Sequence, residues 1–167
     1  MTALDPSATA TLRAALQRLL PADASGPGAL EANVDGYVLD GLDGPLSQLA
    51  PICAEGLAAL SRAAERLHGA PFATVAADDQ DGLLGRLERG ELDELADGAG
   101  FFNLLHHLML EGTFGDPRHG GNRDFVGWEL LDYPGLRLEV SDGEQQLDTV
   151  SAGPRRSIAD YPELPRG

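Results

Sequence analysis

Apolar residues recur at helical intervals along most of the chain. From Thr9, the positions Leu12, Ala15, Leu16, Leu19 and Leu20 follow the i, i+3, i+4, i+7, i+8 pattern of a one-faced helix. Asp5 and Ser7 offer caps before it, and Pro21 ends it by pushing its predecessor out of the α region. The turn-rich link PADASGPG (21–28) follows. A second helix is predicted from Ala29, with Leu30, Val34, Tyr37, Val38 and Leu42 on one face. The third and longest is predicted to start with Pro45 in its first turn and run to His68. Its stripe is Leu46, Leu49, Ile52, Cys53, Gly56, Leu57, Leu60, Ala64 and Leu67, with many alanines beside it for close helix packing. The fourth, capped by Thr74 or Asp78, turns Leu83, Leu84 and Leu87 inward and stops at Gly90. The acidic run 91–97 reads as a short helix. The fifth, Phe101 to Glu111, is apolar on most sides, the mark of a central helix.

After Glu111 the periodicity is lost. The stretch EGTFGDPRHGGNRDFVGWELLDYPG (111–135) holds six of the 21 glycines and the only tryptophan. A loop of this length, rich in both glycine and aromatics, usually serves a function. Gly120-Gly121-Asn122 calls for unusual backbone angles. Asp124 is placed to cap a short helix, Phe125 to Leu131, stopped by Pro134-Gly135. Leu136 to Val140 alternates apolar and polar like a short strand. From Ser141 the chain is polar, an extended tail with isolated anchors at Val150, Ile158, Tyr161 and Leu164. The predicted fold class is therefore all-α. About five helices form a compact bundle, followed by an irregular glycine- and aromatic-rich segment and an extended tail. The helical domain covers 1–135, including the loop 111–135. The tail covers 136–167 and is either a disordered end or an arm that wraps a partner.

Composition narrows the partners. At 167 residues the chain is long enough to bury one core, and 43% hydrophobic content is in the globular range. The net charge is −15, and all 12 basic residues are arginine. Such a surface repels nucleic acid and anionic membranes. The single cysteine, Cys53, allows no internal disulfide and sits in an apolar helical run as a buried, inert thiol. No apolar run is long enough to span a bilayer, and the first residues show no basic region or apolar signal core. The expectation is a soluble chain without an address of its own, cytoplasmic as it stands, or periplasmic if a leader has been trimmed from it or it is exported with another subunit.

Chemistry-bearing residues are few. His107 and Glu111 share a helix face at i, i+4, with His106 beside them and His119 in the loop. That is metal-ligand spacing, and it supports a small metal-dependent enzyme as one reading. It lacks the HExxH pattern, and a histidine bonded to a nearby carboxylate explains the same residues. There is no phosphate-binding glycine loop and no GxSxG elbow. Asp116, Asp124 and Glu129 could supply an acid–base pair, but a turn or cap role is the commoner reading for each. Arg118 and Arg123 flank Gly120-Gly121-Asn122 and can clamp an acidic group. No catalytic, cofactor or metal residue is assigned. The partner-facing set predicted for the loop is Phe114, Arg118, His119, Asn122, Arg123, Phe125, Trp128 and Tyr133. An independent helical binding module is a further reading.

The run GTFGDPRHGGNRDFVGWELLDYPG resembles the signature of the gluconate 2-dehydrogenase subunit 3 family, roughly EGxFxDPxYGGNxxxxGWxxxGYPG. The matches are Glu111, Gly112, Phe114, Asp116, Pro117, Gly120, Gly121, Asn122, Gly127, Trp128, Tyr133, Pro134 and Gly135. Upstream, LLPADASGPGALEANVDGYV and the pair Phe101-Phe102 are similar to the family's N-terminal pattern, so the resemblance covers about residues 10–135. His119 stands where the family usually has tyrosine, and Asp132 where it often has glycine. The resemblance implies a small, non-catalytic subunit of a heteromeric sugar or polyol dehydrogenase. It further implies a large glucose–methanol–choline-type partner that holds FAD and, in some complexes, a cytochrome subunit. The small subunit would stabilise its partner or assist its folding.

Overall fold

The computed structural model describes residues 2–24, 26–139, 142 and 154–162. Among them are six α-helices and no strand: α1 (Pro6–Leu19), α2 (Val34–Leu42), α3 (Ala50–His68), α4 (Ala77–Glu88), α5 (Gly98–Phe114) and α6 (Val126–Leu130). Asp5 caps α1 by accepting from the N–H of Ala8 at 2.7 Å, and Pro6 opens its first turn. Gly69 closes α3 in the left-handed conformation, φ 75°. Asp97 caps α5 through the N–H of Gly100, which starts that helix three residues before the expected Phe101.

Helix α5 touches all five other helices. The core gathers around it from Leu12 and Leu16 of α1, Val34, Val38 and Leu42 of α2, Leu57 and Leu60 of α3, and Leu83 and Leu87 of α4. Phe101, Leu105 and Leu108 are α5's own share, and Phe72 is the buried anchor between α3 and α4. The all-round apolar character of α5 overstates its burial, because Leu110 is exposed and Phe102 and Leu104 are half-buried. Ion pairs tie the bundle at its rim: Arg18 of α1 holds Asp81 of α4 at 2.6 Å, and Arg66 of α3 holds Glu94. Charge-assisted hydrogen bonds to these arginines hold both carboxylates below their usual range.

Several predicted boundaries are corrected. Helix α2 begins at Val34 rather than Ala29 because Asn33 takes a left-handed φ of 60°. The residues before it bond elsewhere, with Ala29 N–H donating to Leu20 C=O at 2.9 Å. Helix α3 begins at Ala50 with Pro51 in its first turn; Ser47–Leu49 form a 3-10 turn instead. Neither Thr74 nor Asp78 caps α4, since Thr74 Oγ1 donates to Pro71 C=O and Ala76 occupies the cap position. Residues 91–97 are turns anchored by the buried Leu92, not a helix. Asp124 does not cap α6: with φ 55° it lies inside the 3-10 turn Arg123–Phe125, and Phe125 precedes the helix. Residues 136–139 form no strand, because Leu136 N–H bonds to Arg156 C=O at 2.8 Å. Val140 and the anchors Val150 and Leu164 lie outside the described residues.

Candidate functional site

The candidate site is the segment that leaves the end of α5. Asn122 is its hub. The residue is fully buried with φ 45°, and its backbone N–H donates to Gly112 C=O at 2.6 Å. Its side chain donates from Nδ2 to Gly115 C=O at 2.9 Å and accepts at Oδ1 from Gly127 N–H, also at 2.9 Å. One amide thus ties the end of α5, the turn and the start of α6 together. Two glycines are required by the same packing. A Cβ at Gly121 would stand 2.2 Å from Gly112 C=O, and one at Gly127 would stand 1.9 Å from Thr113 C=O. Both obstacles are helix backbone, so no rotamer change relieves them.

A second set of bonds joins this segment to the residues before α2. Arg123 N–H donates to Ala32 C=O at 3.1 Å, and Asn33 Nδ2 donates to Gly120 C=O at 2.6 Å. The Arg123 guanidinium in turn donates to Asn33 Oδ1. Two stretches of irregular chain therefore satisfy one another's polar groups, at the buried Ala32 and at the exposed Gly120 alike.

Trp128 is 5% exposed, and its indole N–H donates to Phe114 C=O at 2.8 Å. Phe125 stacks on one side of it at 5.4 Å, and Tyr133 meets it edge-on at 5.0 Å. Of the eight residues predicted to face a partner, Asn122 and Trp128 are buried within the chain, their polar groups engaged internally. That corrects their expected direction. Phe114 and Phe125 are half-buried, while Arg118, His119, Arg123 and Tyr133 are exposed. Leu131, 60% exposed, was not singled out from sequence because a short helix has too few residues to show a face. With Phe114, Trp128, Asp132, Tyr133 and Pro134 it lines an open groove of about 510 Å³.

The histidines do not converge. His106 stacks on Phe102 with ring centroids 6.2 Å apart. His107 Nε2 lies 3.2 Å from Glu111 Oε1, and Glu111 Oε2 accepts from Tyr37 OH at 3.0 Å. Burial, then that hydrogen bond, pushes Tyr37 up to about 12. His119 Nε2 accepts from Arg118 Nε at 3.0 Å. Among the described residues no three His, Cys, Asp or Glu side chains are placed to hold a metal ion. Cys53 is buried, which pushes its thiol up to about 11 and leaves it a poor nucleophile. No described helix is long and apolar enough to cross a membrane.

A family model described as Gluconate 2-dehydrogenase subunit 3 matches residues 6–135, from the first residue of α1 to Gly135 after α6. No curated protein matches the chain, and no solved structure matches it.

Proposed function

The chain belongs to the gluconate 2-dehydrogenase subunit 3 family, and on that premise we propose that it is the non-catalytic small subunit of a heteromeric sugar or alcohol dehydrogenase. Its partner is a large flavoprotein of the glucose–methanol–choline type, which carries the FAD and performs the oxidation. The small subunit stabilises that partner through the segment after α5.

The supporting observation is where apolar surface is exposed. Among the described residues, four of seven exposed large apolar side chains (Leu130, Leu131, Tyr133 and Leu138) fall within residues 130–138. Scattered exposed leucines need no explanation, but two of these four, Leu131 and Tyr133, line one groove with Phe114 and Trp128, an apolar and aromatic composition suited to an interface core. The segment beneath it is cross-braced by Asn122 and Trp128, so little ordering remains to be done on binding. Tyr133 and Leu131 supply contact area at the groove, and the exposed Arg118 and Arg123 belong to the same segment.

Co-expression with a candidate large flavoprotein subunit of the glucose–methanol–choline type tests the reading. The two should co-purify, and flavin-dependent dye reduction should fall when this chain is omitted. Separate elution, with dye reduction unchanged in its absence, would remove the subunit role.

A further inference from the structure

Residues 154–162 lie beyond the stretch matched by the family model, yet their polar contacts run back into it. They converge on Asp116. Its Oδ1 accepts from Ser157 Oγ at 2.6 Å and its Oδ2 from Ile158 N–H at 2.9 Å. Oδ1 also accepts from Arg118 N–H at 2.9 Å, so one carboxylate caps its own 3-10 turn, Pro117–His119, and reaches a second turn, Ile158–Asp160. Ser157 is 5% exposed and forms a reciprocal capping box with Asp160, so the incoming turn is itself shaped. At the other end of the contact, Leu136 N–H donates to Arg156 C=O at 2.8 Å, and Tyr161 OH donates to Leu136 C=O at 3.0 Å. Between these ends, Arg155 Nε donates to Tyr133 C=O at 3.1 Å.

These bonds share a logic. Tyr133 C=O and both backbone groups of Leu136 lie in irregular chain with no ladder or helix partner, and residues 155–161 supply one for each. Asp116 and Leu136 bracket the segment that contains Asn122, Trp128, Leu131 and Tyr133, so the contact closes across it. We propose that residues 154–162 are a clasp in cis, with Asp116 as its catch, that holds segment 115–136 in the shape carrying the Leu131 and Tyr133 face. The effect on docking rests on the reading of the previous subsection; the effect on the free chain does not.

Hydrogen exchange of the full-length chain, read amide by amide, tests it. Two variants disturb the clasp from opposite sides: Asp116→Asn, which removes the charge and in either amide orientation sets a donor against a backbone N–H, of Ile158 or of Arg118, and the double variant Ser157→Ala with Tyr161→Phe. In both, the Leu136 and Ile158 amides should exchange at least tenfold faster, and the amides of 122–133 should follow them. The α1 and α3 amides should not change. Rates at Leu136 and Ile158 that are the same in wild type and variants would overturn the clasp. Affinity for the large flavoprotein is the second arm: it should fall by threefold or more in both variants. Faster exchange with unchanged affinity would overturn the docking half. If the wild-type chain itself fails to bind, the subunit reading fails, while the exchange result still decides the clasp.

Discussion

Leu60 in α3 and Asn122 in the segment after α5 are both fully buried, for opposite reasons. Leu60 is one of many interchangeable apolar side chains filling a helical core. Its burial is driven by area, and its neighbours share the load. Asn122 is buried because three bonds of its backbone and side chain bring α5, a turn and α6 to one point. The bundle is ordered by non-directional forces, the segment by directional ones. Directional order needs little apolar area, and so it leaves Leu131 and Tyr133 free to stay on the surface. A docking face has to be rigid without burying the residues it offers.

The difference predicts how each region fails. The largest effect belongs to the bundle. Leu60→Ala should cost about 3 kcal/mol of global stability, the usual scale for a leucine-sized cavity. Chemical unfolding should stay a single transition with its midpoint shifted. Two transitions would show that the bundle is not the cooperative unit.

Asn122→Ala comes next. It strands the buried Gly127 N–H, worth about 1–3 kcal/mol when left unpaired, while the half-buried Gly115 C=O can turn to water. The loss should be local, so exchange in 115–133 should accelerate well beyond the change in the global midpoint. A midpoint shift as large as that of Leu60→Ala, with uniform exchange, would erase the contrast between the regions.

Acid provides a smaller test. Burial acts to raise Asp116, but hydrogen bonds from Ser157, Ile158 N–H and Arg118 N–H outweigh it and hold the carboxylate below its ordinary value. A depressed carboxylate contributes stability that is fully present above its unfolded value, about 3.9, and is lost as pH falls through the folded value. The segment should therefore loosen below about pH 4, and Asp116→Asn should flatten that dependence in the segment. It should leave unchanged the acid response of α1 and α3, which Arg18 and Arg66 tie to their own depressed carboxylates, Asp81 and Glu94. The same pH dependence of the segment in wild type and Asp116→Asn would remove Asp116 from the account.

The smallest effect should be a gain. Asp132 sits at φ 50°, a conformation that costs an L-residue roughly 1 kcal/mol and glycine almost nothing. Asp132→Gly should stabilise the segment by about 0.5 kcal/mol, after allowance for glycine's greater freedom when unfolded. Destabilisation would mean that the Asp132 side chain does more than occupy a turn.

The same contrast decides what could be read from the chain. The bundle was legible because a 3.6-residue stripe encodes both the helix and its buried face, as for Leu12, Leu16 and Leu60. Its starts were less so. Asn33 is held by a distant bond, its Nδ2 donating to Gly120 C=O. The turn Ser47–Leu49 forms on local bonds, Ser47 N–H to Gly44 C=O and Leu49 N–H to Leu46 C=O, that a helical stripe does not distinguish from a helix start. In the segment the sequence marks where φ is unusual, and Gly120 and Asn122 take φ 94° and 45°. It does not mark which side chains turn inward, since no period exists to show it, and so Trp128 and Asn122 read as surface residues. Asp116 shows its local cap in the Asp-Pro start of a turn. Its partner Ser157, 41 residues on, is visible only as the capping-box pattern Ser157-Ile158-Ala159-Asp160.

The central claim is that the chain docks through the face its directional network leaves exposed, rather than through the bundle. The direct test is affinity for the proposed flavoprotein partner with one glutamate pair placed in each region: Leu131→Glu with Tyr133→Glu, and Ile52→Glu with Leu67→Glu. All four are exposed, so both pairs should leave the helicity intact. The first pair should weaken binding by tenfold or more and the second by less than twofold. Full affinity in the first pair, or loss confined to the second, would contradict the account.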